Sequence, residues 1–184
     1  LNLHTRTLNH MEYLDILNNI NEEDQEIKLK PHDRVLIIDG LNLFFRNFAT
    51  INLTNNNGAH IGGLGGFIRS MGTLINKVQP TSIYVIFDGK GSTVNRKNIN
   101  PDYKANRLVR SKLNRTNAFV DKTAEDENMK MQLGRLIQYL DILPVQILAP
   151  ENIEADDSIA YITKQLLTDS KVFIMSSDKD FIQL

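Results

Sequence analysis

The sequence predicts an α/β chain built on a mostly parallel twisted sheet flanked by helices. Three observations carry this reading. Apolar runs without alternation recur at Val35-Leu36-Ile37-Ile38, Ile83-Tyr84-Val85-Ile86-Phe87 and Val172-Phe173-Ile174-Met175, the pattern of strands buried on both faces. Stretches with helical period lie between them. Each run ends at or just before an Asp, at Asp39, Asp88 and Asp178. Alternating strands and helices argue for right-handed crossovers between parallel strands.

Residues 1–33 stand apart as an N-terminal extension. They are polar, rich in Asn and Glu, and lack the later apolar runs. Met11–Ile20 has an amphipathic pattern with Met11, Leu14 and Leu17 on one face. The chain starts with Leu, so Met11 is the expected true start and residues 1–10 the expected non-native part. From Arg34 the pattern changes. The first strand ends at Asp39-Gly40. Leu64, Phe67, Ile68, Met71, Leu74 and Ile75 give a helix over Gly62–Val78, closed by Pro80. The second strand ends at Asp88-Gly89. Met129, Leu133, Leu136, Ile137 and Leu140 give a helix over Ala124–Leu143. Val145–Leu148 is a short strand, Glu154–Leu167 a helix, and Val172–Met175 the last strong strand.

Composition removes several function classes. Hydrophobic residues are 41% of 184, enough for one domain with a core. With no Cys there is no disulfide, thiolate zinc site or cysteine nucleophile, and the four scattered His lack zinc-ligand spacing. No apolar run is long enough to span a membrane or to read as a secretory signal. The net charge of −1 hides segregation: Lys90–Arg115 holds eight basic residues (Lys90, Arg96, Lys97, Lys104, Arg107, Arg110, Lys112, Arg115) against one acid, Asp102. Such a local excess points to a polyanionic partner, where a solvated basic loop is the plainer alternative.

The acids tell the other half. In a doubly wound sheet, ligands bind beyond the carboxyl ends of the strands. Asp39, Asp88, Asp178 and Asp180 fall there, and Glu154, Asp156 and Asp157 open a helix. One Asp after a strand is ordinary turn chemistry, and acids in a first helical turn are ordinary capping. Seven on one edge would repel one another and raise each other's pKa. Bound cations relieve that repulsion, and an all-oxygen donor set points to Mg²⁺ or Mn²⁺. Two ions about 4 Å apart can activate a water and stabilise the leaving oxygen of a phosphodiester. The glycines at Gly62-Gly63-Leu64-Gly65-Gly66 fit no phosphate-loop motif and are expected to permit close backbone approach.

Five stretches, in order, resemble the 5′-nucleases of the flap-endonuclease type. They are Val35–Arg46 (Val-Leu-Ile-Ile-Asp-Gly-Leu-Asn-Leu-Phe-Phe-Arg), Phe87-Asp88-Gly89-Lys90-Gly91-Ser92, Tyr103-Lys104-Ala105-Asn106-Arg107, Glu154-Ala155-Asp156-Asp157, and Ser176-Ser177-Asp178-Lys179-Asp180-Phe181. That family includes bacteriophage 5′–3′ exonucleases, phage ribonuclease H and the 5′-nuclease domain of bacterial DNA polymerase I; the phage members look most similar. The resemblance covers about four-fifths of the chain, residues 34–184. It implies a PIN-like 5′-nuclease fold with a basic arch inserted after the second strand. It implies that Asp39, Asp88, Glu154, Asp156, Asp157, Asp178 and Asp180 hold two Mg²⁺ ions, with Mn²⁺ able to substitute. Lys104 and Arg107 match positions that neutralise charge at the scissile phosphate. Arg46, Arg96, Lys97, Arg110, Lys112 and Arg115, with those two, form the expected nucleic-acid-binding set. The family continues past the Ser-Ser-Asp-x-Asp-Phe motif into a helical DNA-binding element, so residues 34–184 are expected to be an incomplete catalytic domain.

The implied function is Mg²⁺-dependent structure-specific cleavage at a 5′ end or 5′ flap, on DNA or on an RNA:DNA hybrid, during replication. A monomer acting in the cytoplasm, with a replication-protein partner and no membrane, goes with it. Two alternatives stay open at this level: a PIN-type endoribonuclease, against which the Tyr103–Arg107 motif and the basic insertion argue, and a non-catalytic nucleic-acid-binding module.

Overall fold

The computed structural model describes residues 33–92 and 112–184. Four strands form one sheet, β1 (Arg34–Asp39), β2 (Ser82–Ile86), β3 (Gln146–Leu148) and β4 (Lys171–Met175). Their order is β3-β2-β1-β4 and every pairing is parallel. The α-helices among the described residues are α1 (Gly40–Thr50), α2 (Gly62–Val78), α3 (Lys122–Asp141) and α4 (Ala155–Tyr161).

Side-chain alternation along β1 explains the layering. Leu36 and Ile38 point into a cluster with Phe44 and Phe48 of α1, Phe67 and Met71 of α2, and Leu136, Ile137 and Leu140 of α3. Val35 and Ile37 point the other way, onto Ala155 and Ile159 of α4 with Ile162 and Leu167. Both faces are covered, which is why β1 reads as an unbroken apolar run.

The chain runs from β1 through β2 to β3 in one direction. It then returns to place β4 on the other side of β1. The crevice between the carboxyl ends of β1 and β4 is therefore the topological switch point, where open α/β sheets bind ligands.

Three differences from the sequence reading have physical causes. Helix α1 was not expected, because no loop signal separates it from β1. Asp39 ends the strand and also caps the helix, accepting from the Asn42 N–H at 3.2 Å. The helix expected over Glu154–Leu167 is α-helical only for Ala155–Tyr161. It widens over Ile162–Leu166, where Leu167 N donates to Ile162 O, five residues back. The third helix begins at Lys122, two residues early, because Asp121 caps it through the Ala124 N–H at 2.8 Å. The α2 glycines act as expected. A Cβ on Gly63 would lie 2.7 Å from the Phe44 ring, and one on Gly66 2.8 Å from Asn47 Cβ, so α1 and α2 close to a distance only glycine allows.

Candidate metal centre

The carboxylates are placed by backbone geometry before any side chain is considered. Asp39 leaves β1, Asp88 follows β2 by two residues, Glu154 and Asp156 flank the start of α4, and Asp178 follows β4 by three residues. These five, with Leu41, Asn42, Phe45 and Ala155, line one cavity of about 210 Å³ at the switch point. Asp157 and Asp180, expected to share this edge, are exposed and are not among the lining residues.

Hydrogen bonds fix the wall. The Asp88 loop and the loop before α4 are zipped together, Gly89 N to Ile153 O at 3.0 Å and Asn152 N to Lys90 O at 2.8 Å. Asp88 Oδ1 then accepts from Ala155 N at 2.8 Å. Glu154 occupies the N-cap position of α4 yet makes no side-chain cap bond. The first amide of the helix is served by Asp88 from across the cavity, so ordinary self-capping does not account for Glu154. On the opposite wall, Ser176 Oγ donates to Asp39 Oδ2 at 3.0 Å. Asp178 Oδ1 accepts from Asp180 N at 3.0 Å, which orders the turn carrying both acids.

Asp39 and Glu154 are buried, at 9% and 4% exposure. The Asp39 carboxyl is pushed above its ordinary value of 3.8, first by burial. Hydrogen bonds from Asn42 and Ser176 oppose the rise, and the charges of Asp88 and Asp156 add to it. Mutual repulsion, the cause expected from sequence, is thus present at Asp39 but secondary to desolvation.

Among the described residues, no three His, Cys, Asp or Glu side chains approach closely enough to form a ready-made ion cage. The donor chemistry nevertheless fits Mg²⁺ or Mn²⁺, since every charged group on the cavity wall is a carboxylate. Mg²⁺ keeps several of its waters and is held by one or two carboxylates plus substrate phosphates, so an open acidic cavity suits it better than a closed cage.

The basic residues are distributed less tightly. Arg46 is exposed on α1, seven residues (about 10 Å of helix) beyond Asp39. Arg115 is exposed while its backbone N–H donates to Ala49 O at 2.9 Å, tying this segment to the end of α1. Lys112, expected to face phosphates, is exposed and donates to the carbonyls of Phe119 and Val120 at 2.9 and 3.0 Å. Arg96, Lys97, Lys104, Arg107 and Arg110 lie outside the described residues.

The sequence pattern gives Asn42, Ser176 and Ser177 no distinct role, although all three sit in the motifs quoted above. Asn42 Oδ1 accepts from both Ser177 N and Ser177 Oγ, at 3.0 and 2.7 Å. Nor does any motif mark the buried polar centre at Glu125 and Asn114. Glu125, fully buried, accepts from Leu113 N and Asn114 N at 2.9 and 2.6 Å. Asn114 Nδ2 in turn donates to Phe48 O at 2.8 Å. A charged residue in a helical period reads as a solvated face, and nothing local to Glu125 says otherwise.

A parallel sheet with an acidic cavity at its switch point defines a ligand-binding α/β architecture, and comparison with known proteins narrows it. The family model for the 5′-3′ exonuclease N-terminal resolvase-like domain matches residues 34–184, and the chain belongs to that family. It is 31% identical over 152 residues to DNA polymerase I of Treponema pallidum, covering 80% of this chain and 14% of the polymerase. It is 29% identical over 150 residues to a 5′-3′ exonuclease of Aquifex aeolicus, covering 80% of this chain and 46% of that protein. Among solved structures, the bacteriophage T5 D15 flap endonuclease, in a pseudo-enzyme–product complex with DNA and metal ions, matches with a TM-score of 0.57 and 25% identity. That match covers 82% of this chain and 51% of the flap endonuclease. The chain therefore spans about half the length of its exonuclease relatives, and its fold is the PIN-like 5′-nuclease fold that the motifs implied. Among the described residues no helix is long and apolar enough to cross a membrane.

Proposed function

We propose that the protein is a divalent-metal-dependent 5′-nuclease that cleaves phosphodiesters at the 5′ end or 5′ flap of DNA or of an RNA:DNA hybrid during replication. The observation that carries this reading is the convergence of Asp39, Asp88, the Glu154–Asp156 pair and Asp178 from four chain segments onto one cavity at the switch point. Five acids around one cavity are poor design for stability and good design for holding cations.

Two Mg²⁺ ions, or Mn²⁺ in their place, would supply an activated water and offset the charge that develops on the leaving oxygen. Asp39, Asp88, Glu154, Asp156 and Asp178 would hold them directly or through water, with Asp157 and Asp180 acting from just outside the cavity. Lys104 and Arg107 would offset charge on the scissile phosphate in the transition state. Arg46, Arg115 and the basic residues Arg96, Lys97 and Arg110 would hold the flanking backbone, and Lys112 would tie its own backbone to the Phe119 and Val120 carbonyls. The relatives' names support 5′–3′ polarity: 5′-3′ exonuclease, DNA polymerase I and flap endonuclease. A replication-protein partner, a monomeric state and a cytoplasmic setting belong to the same proposal.

The test is release of short 5′ products from 5′-labelled substrates, one a flapped DNA duplex and one an RNA:DNA hybrid. The expected result is cleavage in Mg²⁺ that stops with EDTA and is lost in Asp156→Asn. Salt-sensitive binding to both substrates with no turnover in Mg²⁺ would instead identify a binding module. Cleavage of single-stranded RNA lacking a free 5′ end would identify an endoribonuclease.

A further inference from the structure

The turn that carries Asp178 and Asp180 leaves the sheet at Met175, the last β4 residue in register with β1. Beyond that point a relay of side-chain hydrogen bonds holds it to the rest of the cavity wall. Asp180 N donates to Asp178 Oδ1 at 3.0 Å, and Asp178 N donates to Ser176 Oγ at 3.1 Å. Ser176 Oγ donates onward to Asp39 Oδ2 at 3.0 Å. In parallel, Ser177 presents both its N–H and its hydroxyl to Asn42 Oδ1, at 3.0 and 2.7 Å. Asn42 closes the circuit by donating its own N–H to Asp39 Oδ1 at 3.2 Å.

We infer that Asn42 is a positioning residue that clamps the Asp178–Asp180 turn to Asp39 through Ser177, and so sets the cation affinity of the cavity. This rests on the metal-site reading above. Three features point to Asn42. It is the link that gathers two donors from the turn after β4 on a single oxygen. It sits in the first turn of α1, a rigid element whose start is fixed by Asp39 itself. Its side chain supplies an acceptor without charge, whereas an Asp there would add another anion to a wall that already holds five. Residues that orient ligands from behind typically change metal affinity by about 10–100-fold when removed. The Ser176–Asp39 bond alone leaves the turn free to pivot about one point; the Asn42–Ser177 pair supplies a second point and fixes its angle.

The experiment is a Mn²⁺ titration of the full chain, followed by water-proton relaxation, on wild type, Asn42→Ala, Ser177→Ala and the double variant, with melting temperatures taken without metal. The expected result is a loss of Mn²⁺ affinity of about tenfold or more in Asn42→Ala, with a smaller loss in Ser177→Ala. The double variant is expected to be no weaker than Asn42→Ala, because both substitutions cut the same clamp. Wild-type affinity in Asn42→Ala, or losses that multiply in the double variant, would overturn the inference. Should Asn42→Ala not fold, Ser177→Ala decides: weakened Mn²⁺ binding with an unchanged melting temperature upholds the clamp, and wild-type binding overturns it. No saturable Mn²⁺ binding in the wild-type chain would sink the metal-site reading itself, and the inference with it.

Discussion

Asp88 and Ala155, 67 residues apart in sequence, are joined by a 2.8 Å hydrogen bond from the Ala155 N–H to Asp88 Oδ1. This bond fastens the exit of β2 to the start of α4. It makes the spacing between Asp88 and the Glu154–Asp156 pair a property of two interlocked loops instead of one flexible turn. Gly89 permits the interlock: a Cβ there would lie 1.7 Å from Pro150 O, a backbone atom that cannot step aside.

Gly89→Ala should therefore push the two loops apart. The expected cost is about 1–3 kcal/mol of stability, the usual scale of overpacking, together with weakened cation binding. Chemical denaturation and a Mn²⁺ titration on the same variant check both. Unchanged values would mean the loops are not interlocked in solution.

Asp39 has a pH signature. Its carboxyl pKa is raised in the folded chain, first by burial, from 3.8. From 3.8 up to the raised value, the native state holds more protons on this group than the unfolded state does. Stability falls as pH climbs through that window, and the loss persists above it. Asp39→Asn keeps an acceptor for the Asn42 N–H and removes the buried charge. The variant should melt higher than wild type at pH 7 without metal and show no such gain below pH 3.8. Added Mg²⁺ should raise the wild-type melting temperature and leave that of the variant unmoved. A variant that melts lower at pH 7 would contradict the assignment of burial as the leading cause.

Much of this was legible in the sequence, and the reasons differ by element. Strand β1 was legible because both its faces are buried, so Val35–Ile38 shows no polar interruption. Helix α2 was legible because its apolar period is regular across 17 residues. Helix α1 was not, since one residue, Asp39, both ends the strand and caps the helix and leaves no loop to read. The acids were legible as a group because the strand ends gather them. Which of them face the cavity was not, because Asp156 and Asp157 are neighbours on a helix and only the direction each side chain takes separates them. Asn42 and Glu125 act through partners 135 and 12 residues away, a relation no local pattern records.

Glu125 secures the backbone at Leu113 and Asn114. Its carboxylate serves the N–H groups of Leu113 and Asn114, and it is fully buried beside Lys122, whose Nζ lies 3.5 Å from Oε2. Replacing it by Leu strands two backbone donors, which should cost about 1–3 kcal/mol for each one left unsatisfied. Thermal unfolding of Glu125→Leu and Glu125→Gln checks this, with Gln recovering part of the loss through its one acceptor oxygen. Equal losses in the two variants would show that acceptor capacity is not what matters there.

Arg115 and Lys112 should behave differently toward nucleic acid. Arg115→Ala should reduce the slope of log affinity against log salt by about 0.9 on duplex DNA, the signature of one lost phosphate contact. Lys112→Ala should leave the slope near wild type, because its ammonium is held by the Phe119 and Val120 carbonyls. Binding isotherms across a salt series distinguish them, and a larger slope change at Lys112 would reverse the assignment.

The proposed cation site at the switch point draws its five acids from four chain segments. Anomalous diffraction from crystals soaked in Mn²⁺ tests it most directly. At least one peak is expected inside the cavity bounded by Asp39, Asp88, Glu154, Asp156 and Asp178, bound to a carboxylate oxygen directly or through one water. Saturating Mn²⁺ with no peak in that cavity, or with peaks only elsewhere on the chain, would contradict it.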